Sequence, residues 1–173
     1  MRFDFRTTLM IGFAVVMAGA SPAFAQSGSW GDVAVSAVMV NYDLSGTGNT
    51  SGLAVRTSRW LTSSVSLEFG GLFATPRQQF GSSTLFMPEA QLRYNWRAGR
   101  VAPYVGGGIG TALVKSSFHT DWDPTLSVAG GAGVRLTDRL GLRGEFRLRG
   151  HEWQFVGTTT ELSAGLVWQI PGS

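Results

Sequence analysis

Leu140-Gly141-Leu142-Arg143-Gly144-Glu145-Phe146-Arg147-Leu148-Arg149-Gly150-His151 alternates two chemistries without a break. Leu140, Leu142, Gly144, Phe146 and Leu148 share one parity, and Arg143, Glu145, Arg147, Arg149 and His151 share the other. Successive side chains of a β-strand point to opposite faces, so this period of two predicts a strand with an apolar wall and a charged wall. The stretch is longer than a usual globular strand and suits the roughly 9–11 residues that a tilted strand needs to cross a bilayer. Energy assigns the faces. An arginine facing lipid near the midplane costs roughly 2–4 kcal/mol, so three on this strand would cost about 6–12 kcal/mol, comparable with the whole stability of a small domain. The charged face therefore looks inward or at water.

The same alternation recurs in both directions, and no helical period of convincing length interrupts it. It predicts eight strands: Asp32 to Leu44, Gly52 to Leu61, Ser64 to Ala74, Thr84 to Trp96, Val101 to Val114, Thr125 to Leu136, Leu140 to His151 and Thr158 to Ile170. In the fourth, Phe86, Pro88, Ala90, Leu92, Tyr94 and Trp96 oppose Glu89, Gln91, Arg93 and Asn95. In the third, Val65, Leu67, Phe69 and Phe73 oppose Ser66 and Glu68; Leu126, Val128, Val134 and Leu162, Leu166, Trp168, Ile170 continue the apolar face. Tight turns near Thr62, Gly99 and Asp138 alternate with longer links at 45–51, 75–83, 115–124 and 152–157. Short turns at one end and longer loops at the other are the layout of an outer-membrane barrel, with the short side in the periplasm. The expected fold is all-β, an eight-stranded antiparallel up-and-down transmembrane barrel over residues 26–173.

The amino terminus fits that destination. Arg2 and Arg6 precede an apolar run from Leu9 to Ala20, and Ser21-Pro22 leads into Ala23-Phe24-Ala25. These features predict a cleaved signal peptide over residues 1–25, since the run is well short of the roughly 20 residues a membrane helix needs. There is no cysteine, which excludes a disulfide framework and thiolate metal sites. Without the signal, eleven arginines and Lys115 face ten carboxylates, an excess too small and too scattered for a nucleic-acid partner. A single lysine is also unlike an ordinary soluble surface.

On this phase the inward polar set is Arg56, Glu68, Glu89, Arg93, Arg135, Arg143, Glu145, Arg147, Arg149 and Glu161. Six cations against four anions predict a mutually neutralising network with a small cationic excess. Eight strands enclose an interior only just wide enough for side chains, so the lumen is expected to be filled. Gly106, Gly108, Gly110, Gly131 and Gly133 leave two strands without inward bulk. The arginines of strands four and seven are expected to take that space, with Tyr104 closing the periplasmic end.

Aromatics at strand ends predict interfacial girdles, because an amphipathic ring prefers the headgroup level. Trp60, Trp96 and Trp168 mark the periplasmic side, although Trp60 shares the parity of the inward Arg56. Tyr42, Phe73, Phe86, Phe118, Trp122, Trp153 and Phe155 gather toward the other.

Two segments carry a resemblance. Ala102-Pro103-Tyr104-Val105-Gly106-Gly107-Gly108-Ile109-Gly110 and Leu140-Gly141-Leu142-Arg143-Gly144-Glu145-Phe146-Arg147 look like strand signatures of small outer-membrane barrels. Over its mature length the chain resembles the OmpA, OmpX and OmpW-like porin-family barrel domain. The resemblance implies a monomer among outer-membrane lipids, delivered by periplasmic chaperones and the barrel assembly machinery, without a cofactor. Such barrels usually finish on an aromatic residue; here Trp168 and Ile170 keep the alternation and Pro171-Gly172-Ser173 follow.

Catalytic patterns are sparse. Gly106 to Gly110 is not followed by a helix that would present amides to a phosphate. His119, Asp121 and Asp123 have a spacing compatible with a cation but fall in a solvated link. A lipid A deacylase would need a serine, histidine and glutamate within hydrogen-bond reach; His151 is followed two residues on by Trp153 rather than serine, and Glu161 and Ser163 share a face with no histidine assured beside them. A soluble lipocalin-like calyx would turn the apolar face inward, which the signal peptide, the scarcity of lysine and the tryptophan placement oppose. The expected function is a non-enzymatic outer-membrane barrel with a largely plugged lumen, serving envelope structure, surface interaction or limited solute passage.

Overall fold

The computed structural model describes residues 29–42, 49–75, 77–78, 81–96, 100–115, 120–152 and 158–171; the expected signal peptide lies outside them. Among these residues ten strands follow in order: β1 (Ser29–Tyr42), β2 (Asn49–Trp60), β3 (Val65–Ala74), β4 (Arg77–Gln78), β5 (Gly81–Ser82), β6 (Thr84–Asn95), β7 (Val101–Lys115), β8 (Thr120–Arg135), β9 (Leu140–His151) and β10 (Thr158–Pro171). Eight of them close into one antiparallel barrel in the order β1-β10-β9-β8-β7-β6-β3-β2, and β4 pairs only with β5. The seam between β1 and β10 runs from Ser29 opposite Pro171, through an irregularity before Gly31 opposite Ile170, to Tyr42 opposite Thr159.

The eight long strands are those read from the alternation, with differences at their ends. β1 begins at Ser29 rather than Asp32, and Asn49 to Ser51, assigned to a link, pair with Met39 to Asn41. Thr120 to Pro124 pair with Thr111 to Lys115, so the β7–β8 hairpin extends through residues the sequence assigns to a link. The β4–β5 hairpin falls in another link, and a two-residue strand is too short to show a period.

Two turns at one end are built alike from similar sequences. In Leu61-Thr62-Ser63-Ser64-Val65, the amides of Leu61 and Thr62 donate to the Val65 carbonyl at 2.9 and 3.1 Å. The amides of Ser64 and Val65 donate to Thr62 Oγ1 at 3.2 and 3.0 Å. In Leu136-Thr137-Asp138-Arg139-Leu140 the same bonds form to the Leu140 carbonyl, both 2.9 Å, and to Thr137 Oγ1 at 3.3 and 3.0 Å. A threonine hydroxyl facing two following amides substitutes for backbone pairing, so each strand exchange takes four residues.

Burial follows parity. Val35, Met39, Leu53, Val55, Phe69, Phe73, Leu92, Ile109, Leu142, Phe146, Leu162, Leu166 and Trp168 are exposed on the outer wall, whereas Arg143, Glu145, Arg147 and Arg149 are buried inside. A continuous exposed apolar wall with a charged interior inverts a water-soluble barrel and matches one solvated by lipid. The soluble-calyx alternative is not this structure.

The interior is not polar throughout. Toward the loop end, Val38, Val40, Ala54, Leu72, Ala74, Leu85, Met87 and Ala112 form a buried cluster from β1, β2, β3, β6 and β7. The alternation does not mark this inward apolar cap, because aliphatic side chains on these strands look the same whichever wall they serve.

Candidate functional site

Below the cap, six strands send charged side chains to one place. β9 supplies Arg143, Glu145, Arg147 and Arg149; β1 adds Asp32, β2 Arg56, β3 Glu68, β6 Glu89 and Arg93, and β10 Glu161. Glu68 is the hub on one side, meeting Arg143 at 2.5 and 3.1 Å, Arg93 at 2.8 Å, and Arg56 and Arg147 at 3.8 Å each. Glu145 is the second hub. It accepts from Arg147 Nη2 at 2.7 Å, from Arg143, and from the Tyr104 hydroxyl at 2.6 Å, with Arg56 at 3.6 Å. Arg147 also reaches Glu89 and donates to Gln91 Oε1 at 2.8 Å. Arg149 holds Glu161 at 2.7 Å and bonds to Glu89.

The network corrects the sequence reading at several points. Arg135 has the inward parity, but it lies at the open end of β8, exposed and outside the ion-pair cluster. Asp32, absent from the expected set, is buried at 3.6 Å from Arg93. The cluster therefore contains Arg56, Arg93, Arg143, Arg147 and Arg149 against Asp32, Glu68, Glu89, Glu145 and Glu161. The expected cationic excess is gone, and the charges balance one to one.

Tyr104 sits inside the network rather than only closing its end. Arg143 Nε donates to its oxygen at 2.6 Å, and the Arg143 and Arg93 guanidinium carbons lie 4.8 and 5.2 Å from its ring centroid. A guanidinium over a tyrosine face is attracted by the ring quadrupole, so the phenol is held by both its polar and its π chemistry. The inward glycines of β7 are filled by neighbours other than the expected arginines. A Cβ on Gly106 would lie 3.0 Å from Gln91 Cδ, and one on Gly108 3.0 Å from Glu89 Oε1.

Gly131 of β8 gives Tyr104 its place, since a Cβ there would stand 2.5 Å from the phenol oxygen and would also press on the Gly144 carbonyl oxygen. Gly131→Ala is expected to push Tyr104 off Glu145 and cost roughly 1–3 kcal/mol, the usual range for overpacking. Chemical denaturation in detergent checks it. The penalty should shrink in a Tyr104→Ala background, and an equal penalty in both backgrounds would place the strain elsewhere.

The aromatic positions divide. Trp168 and Phe73 are exposed on the outer wall, and Trp96 is half-buried with its ring 5.1 Å from that of Tyr94 in an edge-to-face contact. Trp60 does not join a girdle: it follows the parity of Arg56 and lines the cavity at the turn end. The Tyr42 side chain and Trp153 lie outside the described residues, as do Phe118, Phe155 and His119.

Two cavities lie inside the barrel among the described residues. One of ≈ 110 Å³ opens at the turn end, with Tyr104 and Arg143 at its inner side. The other, ≈ 10 Å³ between Arg56, Glu68, Leu72 and Glu89, is at the limit of one water molecule. The His151 ring meets Thr159 Oγ1 at 2.8 Å on the inner wall, while Glu161, a candidate catalytic carboxylate, is occupied by Arg149. No three metal-binding side chains gather among the described residues.

The sequence pattern of the family described as outer membrane protein beta-barrel domain matches residues 11–169. No curated relative matches significantly. Among solved structures, Neisserial surface protein A has a TM-score of 0.65 at 17% identity, over 84% of this chain and 100% of that one. OprG of Pseudomonas aeruginosa gives 0.62 at 11% identity, over 86% and 100%. The amino-terminal barrel of Pseudomonas aeruginosa OprF gives 0.57 at 13%, over 83% and 99%. At these identities the likeness is one of fold.

Proposed function

This chain belongs to the outer membrane protein beta-barrel domain family, and from that premise we propose that it is a non-conducting, non-catalytic barrel. It serves envelope structure and surface interaction through its outer wall and loops, as a monomer among outer-membrane lipids. The observation that carries this reading is the balanced cluster of five arginines and five carboxylates spanning the lumen from β1, β2, β3, β6, β9 and β10. Passage of a solute requires this cluster to part, and each guanidinium left without its carboxylate in a low-dielectric interior is expensive. The apolar cap at the loop end adds a second obstacle in series. Against catalysis stands the occupation of Glu161 by Arg149, which leaves that carboxylate poorly placed to act as a base.

Planar-bilayer recordings of the purified, refolded chain test the plug. Stable current steps are expected to be absent at neutral pH, and large, weakly selective channels would overturn the reading. Mass spectrometry of lipid A from cells with and without the protein tests the second part, with an unchanged acylation pattern expected.

A further inference from the structure

The ≈ 110 Å³ cavity at the turn end is lined unlike the rest of the lumen. Arg100 and Arg135 stand exposed at its edge, and neither forms an ion pair with another described residue. Deeper in, the Asn95 amide and Arg93 line the wall, and Asp32 Oδ1 is buried with no hydrogen-bond partner among the described residues. Arg93 is already neutralised by Glu68 at 2.8 Å, so the two outer arginines set the sign of the site. At ≈ 110 Å³ the cavity is far below the roughly 300–1,000 Å³ of sites for drug-sized ligands. Nucleotides and oligosaccharides are thereby excluded as wholly enclosed guests.

We propose that this vestibule is a binding site for a small protonated oxyanion, of which hydrogen phosphate is the type, held by Arg100 and Arg135 and selected by Asp32. Guanidinium groups match the spacing of phosphate oxygens and form charge-assisted bonds to them. A buried carboxylate oxygen repels a fully deprotonated oxyanion but accepts a hydrogen bond from one that keeps an O–H. Near neutral pH phosphate keeps such a hydroxyl and sulfate does not. Asp32 therefore converts a general anion site into one that discriminates between two ions of similar size and shape. The proposal goes beyond the plugged-barrel reading and is independent of it, because the site lies on the turn side of the Tyr104–Glu145 contact.

Calorimetric titration of the full mature chain in zwitterionic detergent tests it, with inorganic phosphate and sulfate at matched ionic strength. A third arm uses a short-chain phosphatidic acid below its micelle concentration. Saturable phosphate binding is expected, at least tenfold tighter than sulfate. The Arg100→Gln, Arg135→Gln double variant, altered only at exposed positions, should weaken phosphate roughly tenfold or more, the scale of one charge-assisted hydrogen bond. Asp32→Asn, checked for folding by heat-modifiable gel mobility, should bring sulfate binding up to that of phosphate. Absence of phosphate binding, equal affinity for the two ions in the native protein, or indifference to the arginine replacements would each overturn the proposal. Binding of the phosphatidic acid without inorganic phosphate would overturn it in favour of a lipid headgroup.

Discussion

Glu145→Ala is expected to lower the unfolding free energy by roughly 3–5 kcal/mol, the range for removing one partner of a buried ion pair. Glu145 alone bonds to Arg143, Arg147 and Tyr104 and stands within 3.6 Å of Arg56, so its loss leaves more positive charge than the remaining carboxylates can share. Denaturant titration in detergent, followed by tryptophan fluorescence, measures it. Glu145→Gln should fall between the two, because the amide retains an acceptor for one guanidinium and loses the charge. A parallel Arg147→Met replacement on the Glu145→Ala background should recover part of the loss, since it removes one of the stranded cations. Resistance equal to that of the unaltered protein would mean that water screens the cluster.

The second large effect is expected on the other wall. Phe146 lies between Glu145 and Arg147 in sequence but is 50% exposed on the apolar face near the middle of β9. Phe146→Arg places a guanidinium at the bilayer midplane, at a cost of roughly 2–4 kcal/mol relative to an apolar residue. Folding yield into liposomes of increasing hydrocarbon thickness reads this directly. The deficit should grow with thickness as snorkelling to the interface becomes harder. Tolerance of Phe146→Arg in every bilayer would reverse the assignment of the two walls. An arginine is thus required at 147 and penalised at 146, a contrast that only a period of two produces.

Most of the barrel was legible because β9 writes both faces in extreme chemistries. Four charged side chains alternate with Leu142, Phe146 and Leu148, and the cost of charge in lipid then orients the remaining strands. Where a strand lacks that contrast the sequence was mute. Asp32 is followed on its own face by Ala34 and Ser36, so nothing marked it as part of an inward charged row. Arg135 showed the converse limit: parity gives the direction of a side chain, whereas height along the barrel decides whether it meets a partner. The role of Tyr104 is not written in its own strand, because its contacts come from the neighbouring β6 and from β9, two strands away, and depend on a gap left by Gly131. The Leu-Thr turns were visible as short breaks. Their shared construction, in which Thr62 and Thr137 serve the same bonds, is a matter of hydrogen-bond geometry that residue type alone does not carry.

The seam between β1 and β10 also orders the life of the molecule before it is finished. Each other ladder of the barrel joins strands that are neighbours along the chain or separated only by a small hairpin, and can form while synthesis or delivery continues. The seam joins opposite ends of the chain, Gly31 to Ile170 and Tyr42 to Thr159, so its loop-closure entropy is the largest in the barrel. Until it is made, two long strands carry unsatisfied amides and carbonyls along one edge each, which is a template for pairing with other chains. Closure satisfies both edges in one step. A half-assembled barrel is consequently the most adhesive species this sequence passes through, and the completed one presents no open strand edge around its circumference.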